Sequence, residues 1–179
     1  MRALLLAVAI CATACPPAPL LNEGPPQPNV TLQGVRLSYF KGGELMASAT
    51  ARELVYQNST SDFVASDVTV KIPARAGGMR GPGGAPSGEL TVTAPIARGA
   101  TGTRQVDGEG GVSLTTASGL LGKTRAAHFD GAASLAVGQD DVALEGNGYQ
   151  LSSRGFTIDF PNERYTFENG VKSRFGGPR

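Results

Sequence analysis

The side chains that could carry acid–base or metal chemistry are few in this sequence and lie far apart. His128 is the only histidine, whereas a protein metal site normally needs several His, Cys or carboxylate ligands. Asp140 and Asp141 are adjacent, but neighbours on a strand point to opposite faces and are poorly placed to share a proton. No Gly-x-Ser-x-Gly elbow presents a nucleophilic serine. We therefore expect no catalytic residue, no metal and no cofactor, with His128 facing outward and Asp140–Asp141 in a turn before Val142.

Cys15 is the residue best suited to covalent modification. It follows the small residues Ala12–Ala14, the apolar run Ala3–Ile10 and the basic Arg2, and such a run is too short to span a bilayer. This order resembles a bacterial lipoprotein processing box, in which the signal is cut before a cysteine that then carries lipid. The sequence therefore predicts a signal peptide at 1–14 and a lipid anchor at Cys15. An ordinary secretory signal cut near the same place is the alternative.

The region after Cys15 differs in composition from the rest of the chain. Prolines crowd residues 15–30, which favours an extended tether; a disordered tail without a spacing role is the alternative. Residues 31–173 are long enough to bury a core as one domain, and 174–179 are predicted to be a tail. Sixteen basic and fifteen acidic residues give a net charge of +1. No basic cluster stands out, so we expect no nucleic-acid partner.

The body alternates apolar and polar residues in short segments separated by Gly, Asn or Asp, which is typical of antiparallel β-structure. Helix signals are nearly absent. A strand after Gly43 is expected to bend near Arg52, and Pro95 is expected to force an edge or a bend. The predicted strands in the C-terminal part are Val112–Thr115, Ala126–Asp130, Ser134–Val137, Val142–Glu145, Tyr149–Ser152, Phe156–Phe160 and Tyr165–Glu168.

Residues 76–88 interrupt this pattern. Their Gly and Pro content cannot bury enough apolar surface to order the segment, so we interpret it as a flexible insertion at a hairpin tip. A phosphate-binding loop is the alternative, but no Gly-Lys-Ser/Thr follows.

The order of the glycine-punctuated strands resembles a known family. Gly111–Leu114 and Thr124–Asp130 are followed by Asp141–Gly146, Gly148–Leu151 and Arg154–Asp159. This succession is similar to that of the lipopolysaccharide-export proteins LptC and LptA, the OstA-like family, which carry a G-x-x-L-x-G-x-G-F-x-x-D segment. The likeness covers most of residues 32–171. The chain departs from it at Ser153-Arg154, in the 76–88 insertion, and in having a lipid signal where LptC-type proteins have a membrane-spanning helix.

The resemblance implies an all-β, antiparallel, V-shaped open β-jellyroll whose inside accepts the lipid A acyl chains of lipopolysaccharide. It also implies that edge strands, here Val35–Phe40 and Tyr165–Val171, pair with other Lpt-type jellyrolls in a transport complex at the inner membrane. The expected location is the periplasmic side of the cell envelope, on a lipid anchor in the inner membrane rather than the outer. The expected function is lipopolysaccharide transport without enzymatic activity.

Strand alternation groups apolar residues that would line such a groove. The same-face sets are Ala127 with Phe129, Leu135 with Val137, Val142 with Leu144, Tyr149 with Leu151, and Phe156 with Ile158 and Phe160. With the resemblance added, the expected lipid contacts are Leu114, Phe129, Leu144, Leu151, Phe156 and Ile158. The alternative is a structural or adhesive envelope domain in which the same residues fill a closed core. A carbohydrate-binding sandwich is disfavoured, because the chain has no Trp and only four Tyr.

Overall fold

The protein folds as one antiparallel β-sheet of 12 strands. The computed structural model describes residues 29–74, 88–160, 162 and 164–176, and no helix occurs in these ranges. The predicted signal peptide, Cys15 and nearly all of the tether and the 76–88 insertion lie outside the described residues. The all-β, antiparallel fold class is confirmed.

The strands range from 4 to 14 residues in length. They are β1 Val30–Lys41, β2 Glu44–Gln57, β3 Asp62–Ile72, β4 Leu90–Ala100, β5 Gln105–Glu109, β6 Val112–Thr116, β7 Leu121–Thr124, β8 Ala127–Asp130, β9 Leu135–Gly146, β10 Tyr149–Asp159, β11 Arg164–Phe167 and β12 Lys172–Phe175. Their order across the sheet is β1-β2-β3-β4-β5-β8-β9-β10-β11; β6 pairs with β4 and β7, β7 also pairs with β9, and β12 pairs with β10.

A line of irregularities, which we call the seam, crosses the whole sheet at mid-strand. The ladder of β2 with β3 is interrupted between Thr50↔Thr69 and Glu53↔Ser66, with no change in register, and β5 is separated from β6 by two glycines with positive φ. Between β9 and β10 the interruption is a β-bulge, which bends a strand without ending its pairing. The seam consists of Gly34, Arg52, Asp67, Pro95, Gly110–Gly111, Arg125–Ala126, Gln139–Asp140, Gly155 and Asn169–Gly170.

The seam explains where the expected strands differ from the observed ones. Two predicted segments merge into β9 and two into β10, because a bulge between Arg154 and Phe156 lets the ladder continue. A break or bend was expected near Arg52; β2 is continuous there, and its ladder with β3 is interrupted at that point without a change in register. Pro95 does not place β4 at an edge. It lies where β4 changes partner from β6 to β5, a point at which no ladder N–H is needed.

The seam divides the sheet into two arms. The first arm comprises residues 30–33, 53–57, 62–66, 96–100, 105–109, 127–130, 135–138, 156–159 and 164–167. The second arm comprises residues 35–41, 44–50, 68–72, 90–93, 112–116, 121–124, 142–146, 149–153 and 172–175. Buried apolar side chains occur on both arms, including Ala65 and Ala97 on the first and Leu90 and Leu144 on the second. The core therefore lies between the inner faces of the arms.

Two edges of the sheet lack a neighbour within the described part of the chain. β1 pairs only with β2, whereas β11 and β12 pair only with β10. The segments expected at the edges, Val35–Phe40 and the start of Tyr165–Val171, are at these positions. β12 extends to Phe175, beyond the predicted start of the C-terminal tail at 174.

Candidate functional site

A cavity of about 370 Å³ lies between the two arms, and its lining side chains come from strands β3 to β11. Almost all of them are hydrocarbon. The second arm supplies an aliphatic wall, which consists of Val68, Val70, Ile72, Leu90, Val92 and Leu114. The first arm supplies an aromatic wall, which consists of Phe129, Phe156, Phe160, Tyr165 and Phe167. An interior of this kind suits an apolar ligand, because burial of hydrocarbon is favourable and non-directional.

The structure brings most of the predicted lipid contacts into this cavity. Five of them, Leu114, Phe129, Leu144, Phe156 and Ile158, contribute to its lining. Leu151 does not. It lies directly opposite Leu144 and shares its face, but it borders a separate surface depression near β12.

The two halves of β10 present apolar residues to the same face, although the inward residues are odd-numbered in the first half and even-numbered in the second. Tyr149 and Leu151 are odd-numbered, whereas Phe156 and Ile158 are even-numbered. At Gly155, where φ is 89°, the register with β9 shifts by one residue, and this shift lets both sets face inward. The Ser153 hydroxyl is buried here and donates a hydrogen bond to the Gly155 carbonyl at 3.1 Å.

The predicted inward pair Leu135 and Val137 is wrong. Leu135 lies opposite Asp130 and Asp159, and Val137 lies opposite His128. Ala136, between Phe129 and Ile158, lines the cavity instead. The inward-facing residues of β9 are even-numbered all the way from Ala136 to Leu144. The inner face therefore includes Ala136, which is less apolar than its neighbours Leu135 and Val137.

The aromatic wall is packed by direct ring contact and by cross-strand pairing. The rings of Phe129 and Phe160 meet edge to face, with centroids 5.8 Å apart and planes at 80°, an arrangement that aromatic pairs prefer. Phe167 lies opposite Phe156, and Tyr165 lies opposite Ile158. Sequence reasoning did not assign Tyr165 or Phe167 to the site. Their signal was the alternation of the last predicted strand, which alone does not tell which face is inward.

The inner face of β1 continues the cavity wall but is not covered. Leu37 lies opposite Ala49, and Ala49 lies opposite Val70 of the aliphatic wall. Directly opposite residues share a face, so Leu37 belongs to the same inner surface. Its exposed fraction is 55%, and that of Tyr39 two residues along is 60%. The apolar surface therefore reaches solvent at the β1 edge.

The groups capable of acid–base chemistry form local pairs. His128, which was expected to face outward, contributes to the cavity lining, and its Nδ1 is 2.7 Å from Asp107 Oδ1 on the neighbouring strand. Asp140 is not in a turn, as the sequence suggested, but within β9, where it accepts two hydrogen bonds from Arg125 at 2.7 and 3.1 Å. These bonds raise the pKa of the Arg125 guanidinium. Within the described ranges, no group of three or more His, Cys, Asp or Glu could hold a metal ion.

Comparisons of the chain with models of protein families and with curated proteins gave no match. In the part of the chain that the structure describes, no helix is long and apolar enough to cross a membrane.

Proposed function

We propose that this protein is a lipid-anchored envelope component that holds the acyl chains of lipopolysaccharide between its two β-arms and passes them to a neighbouring jellyroll. The observation that carries the proposal is the apolar cavity, which lies between the arms and continues onto an uncovered inner face at β1. A packed core that served only stability would have no reason to extend onto an exposed edge strand.

The chemistry of the cavity favours acyl chains over polar ligands. Each methylene moved from water into such a site contributes roughly 0.8 kcal/mol, whereas a polar ligand would need hydrogen-bond partners that these walls do not supply. Lipopolysaccharide is the specific proposal because the strand order resembles that of LptC and LptA. The lipid anchor at Cys15 and the periplasmic location are also parts of the proposal, and they rest on the sequence.

The open edges of the sheet support the transfer step. An uncovered edge strand presents unpaired N–H and C=O groups, and these favour pairing with another sheet. β1 at one end and β11 at the other could each join a neighbouring jellyroll. Apolar surface would then continue from one protein to the next.

Photocrosslinking in cells tests the proposal. A photoreactive side chain at Leu114 or Ile158, both in the cavity lining, should give a lipopolysaccharide adduct. The matched controls are the adjacent positions Thr115 and Thr157, which lie on the opposite face of the same strands. Adducts at the two inner positions and none at the controls would support the proposal. If the inner positions give no adduct, or no more than the controls, the protein is instead a closed-core structural domain.

A further inference from the structure

We propose that the groove has one open end, so that an anionic amphiphile enters at β1 with its head group near Arg36 and its acyl chain directed toward the aromatic wall. This inference rests on the proposed function and adds to it the direction in which the ligand lies. It also names the residues that would limit acyl-chain length.

The first support is the change in exposure across the inner face. On β1, Leu32, Leu37 and Tyr39 are 46%, 55% and 60% exposed. Farther along the sheet, Leu90, Leu144 and Phe156 are 2%, 9% and 7% exposed. The inner surface is thus accessible at the β1 edge and covered deeper in.

The register shows that the exposed and covered parts form one surface. Leu32 lies opposite Leu54, Leu54 opposite Ala65, and Ala65 opposite Ala97, which lines the cavity. An acyl chain lying along this row would remain on hydrocarbon from the edge strand to the interior.

The second support is the more covered opposite end, where Phe160 and Phe167 are half-buried and Phe129 is 38% exposed. Phe160 meets Phe129 edge to face, and Phe167 lies opposite Phe156. These rings line the first arm beside β10 and β11. A methyl terminus fits against them, whereas a charged head group would have to be buried there without a partner, which is costly.

The third support is the charge of the edge strand. β1 contains Arg36 and Lys41 and no acidic residue. Arg36 lies opposite the uncharged Thr50, whereas Lys41 lies opposite Glu44. Neither cation forms an ion pair with another described residue. Because a long arginine side chain can extend around an edge strand while its stem stays on apolar surface, Arg36 is the better partner for a phosphate or carboxylate.

The test uses the full-length protein and two photoreactive lysophosphatidic acids, one with a diazirine near the acyl carbonyl and one with a diazirine at the methyl end. Crosslinked residues are located by peptide mass spectrometry. We expect the carbonyl-proximal probe to label residues 32–41 and the methyl-end probe to label Phe129, Phe160 or Phe167. Each probe should prefer its own end by several-fold.

Two variants, each with a matched control variant, sharpen the test. Arg36→Glu should weaken lysophosphatidic acid binding several-fold, and Lys41→Glu should weaken it less. Phe160→Ala should allow longer acyl chains to bind, whereas Phe175→Ala, at a residue 80% exposed on β12, should not. Thermal melts of each variant report whether the fold is intact, and the comparison of the two probes on the unaltered protein needs no variant.

The possible outcomes distinguish this inference from the proposed function on which it rests. If both probes label both ends equally, the groove is open throughout and the inference is wrong, while lipid binding stands. If the carbonyl-proximal probe labels inner residues but none on β1, the mouth lies elsewhere and the inference is again wrong. If neither probe labels any inner residue, the proposed function fails and this inference fails with it.

Discussion

At the residue scale, glycines opposite aromatic rings recur in this sheet. Gly138 lies opposite Phe156, Gly99 opposite Phe63 and Gly146 opposite Tyr149. A Cβ at any of these glycines would overlap the facing ring. The ring covers the backbone that the glycine leaves bare, a pairing that offsets the low strand propensity of glycine.

We predict that Gly138→Ala lowers the free energy of unfolding by about 1–3 kcal/mol, because the ring of Phe156 must shift within a packed site. Chemical denaturation measures the effect. Gly102→Ala is the control, since a Cβ there meets no atom within 4 Å and its φ is not positive; it should change stability by less than about 0.5 kcal/mol. Equal effects of the two substitutions would show that the ring contact does not constrain Gly138.

The turn between β8 and β9 depends on the Asp130 carboxylate. This group accepts hydrogen bonds from the N–H of Ala133 at 3.0 Å and of Ala132 at 2.8 Å, which hold the pKa of Asp130 below its ordinary value. Because the folded pKa is the lower one, the stabilisation is complete above the pKa of an unfolded aspartate. It is lost as pH falls through the folded value.

We therefore predict that Asp130→Ala lowers the free energy of unfolding at pH 7. The difference in this free energy between the variant and the unaltered protein should become smaller in acid. Urea denaturation at pH 7 and at about pH 3 measures both differences. Asp130→Asn keeps an acceptor oxygen without the charge, so it should lose less stability. A difference between Asp130→Ala and the unaltered protein that grows as pH falls would contradict this assignment.

At the element scale, β11 has N–H groups that point in two directions. The N–H of Glu168 donates to the Gly155 carbonyl at 3.2 Å. Because donors alternate along an antiparallel strand, the N–H of Thr166 also points toward β10. That of Phe167 points away, to the open edge. A strand that docks on this edge would meet the N–H of Phe167.

We predict that Phe167→Pro weakens docking of a partner strand by removing this donor and leaves the pairing of β10 with β11 largely intact. Phe167→Ala is the matched control, since it loses the ring but keeps the N–H. Circular dichroism should show similar strand content for both variants, and pull-down of partner jellyrolls should be weaker for the proline variant. If Phe167→Pro unfolds the protein and Phe167→Ala does not, β11 is not a free edge.

Several elements could be predicted from the sequence because period-two alternation bounded by glycine reports a half-buried strand directly. Phe129, Leu144, Phe156 and Ile158 were placed on inner faces in this way, and Leu114 was added from the resemblance to the LptC and LptA family. Leu135 and Val137 were misplaced because the inner face is set by the register of the whole β9 strand, and Ala136 gives too weak a signal to mark it. The covered end of the groove beside β11 depends on which strands become neighbours. Local sequence patterning does not contain this information.

At the scale of the whole molecule, an open groove and a closed core respond differently to a buried charge. Phe156 is 7% exposed, so Phe156→Asp is expected to unfold the protein in either case. Ile158 is only half-buried in the cavity wall. We predict that Ile158→Asp retains a cooperative thermal melt but loses most of its lipid crosslinking. Loss of the melt in Ile158→Asp would favour a closed core.

The predicted lipid anchor concerns the whole chain. Cys15 lies outside the described residues, so its role remains a prediction from the sequence. We predict a mature N-terminus at Cys15 with a diacyl or triacyl mass, and Cys15→Ser should leave the chain unprocessed or free of lipid. Intact-protein mass spectrometry decides this; a mature protein that starts elsewhere without lipid would contradict it.

The seam has a consequence for how such a chain can change in length. Side chains alternate faces at every residue, so an insertion or deletion of one residue within a strand turns everything beyond it inside out. At Gly155 the ladder already contains one such step, because β10 has one residue between Arg154 and Phe156 where β9 has two between Gly138 and Asp141. The hairpin tips impose no such parity. Variation in length should therefore accumulate at the tips, and along the strands it should occur in steps of two residues.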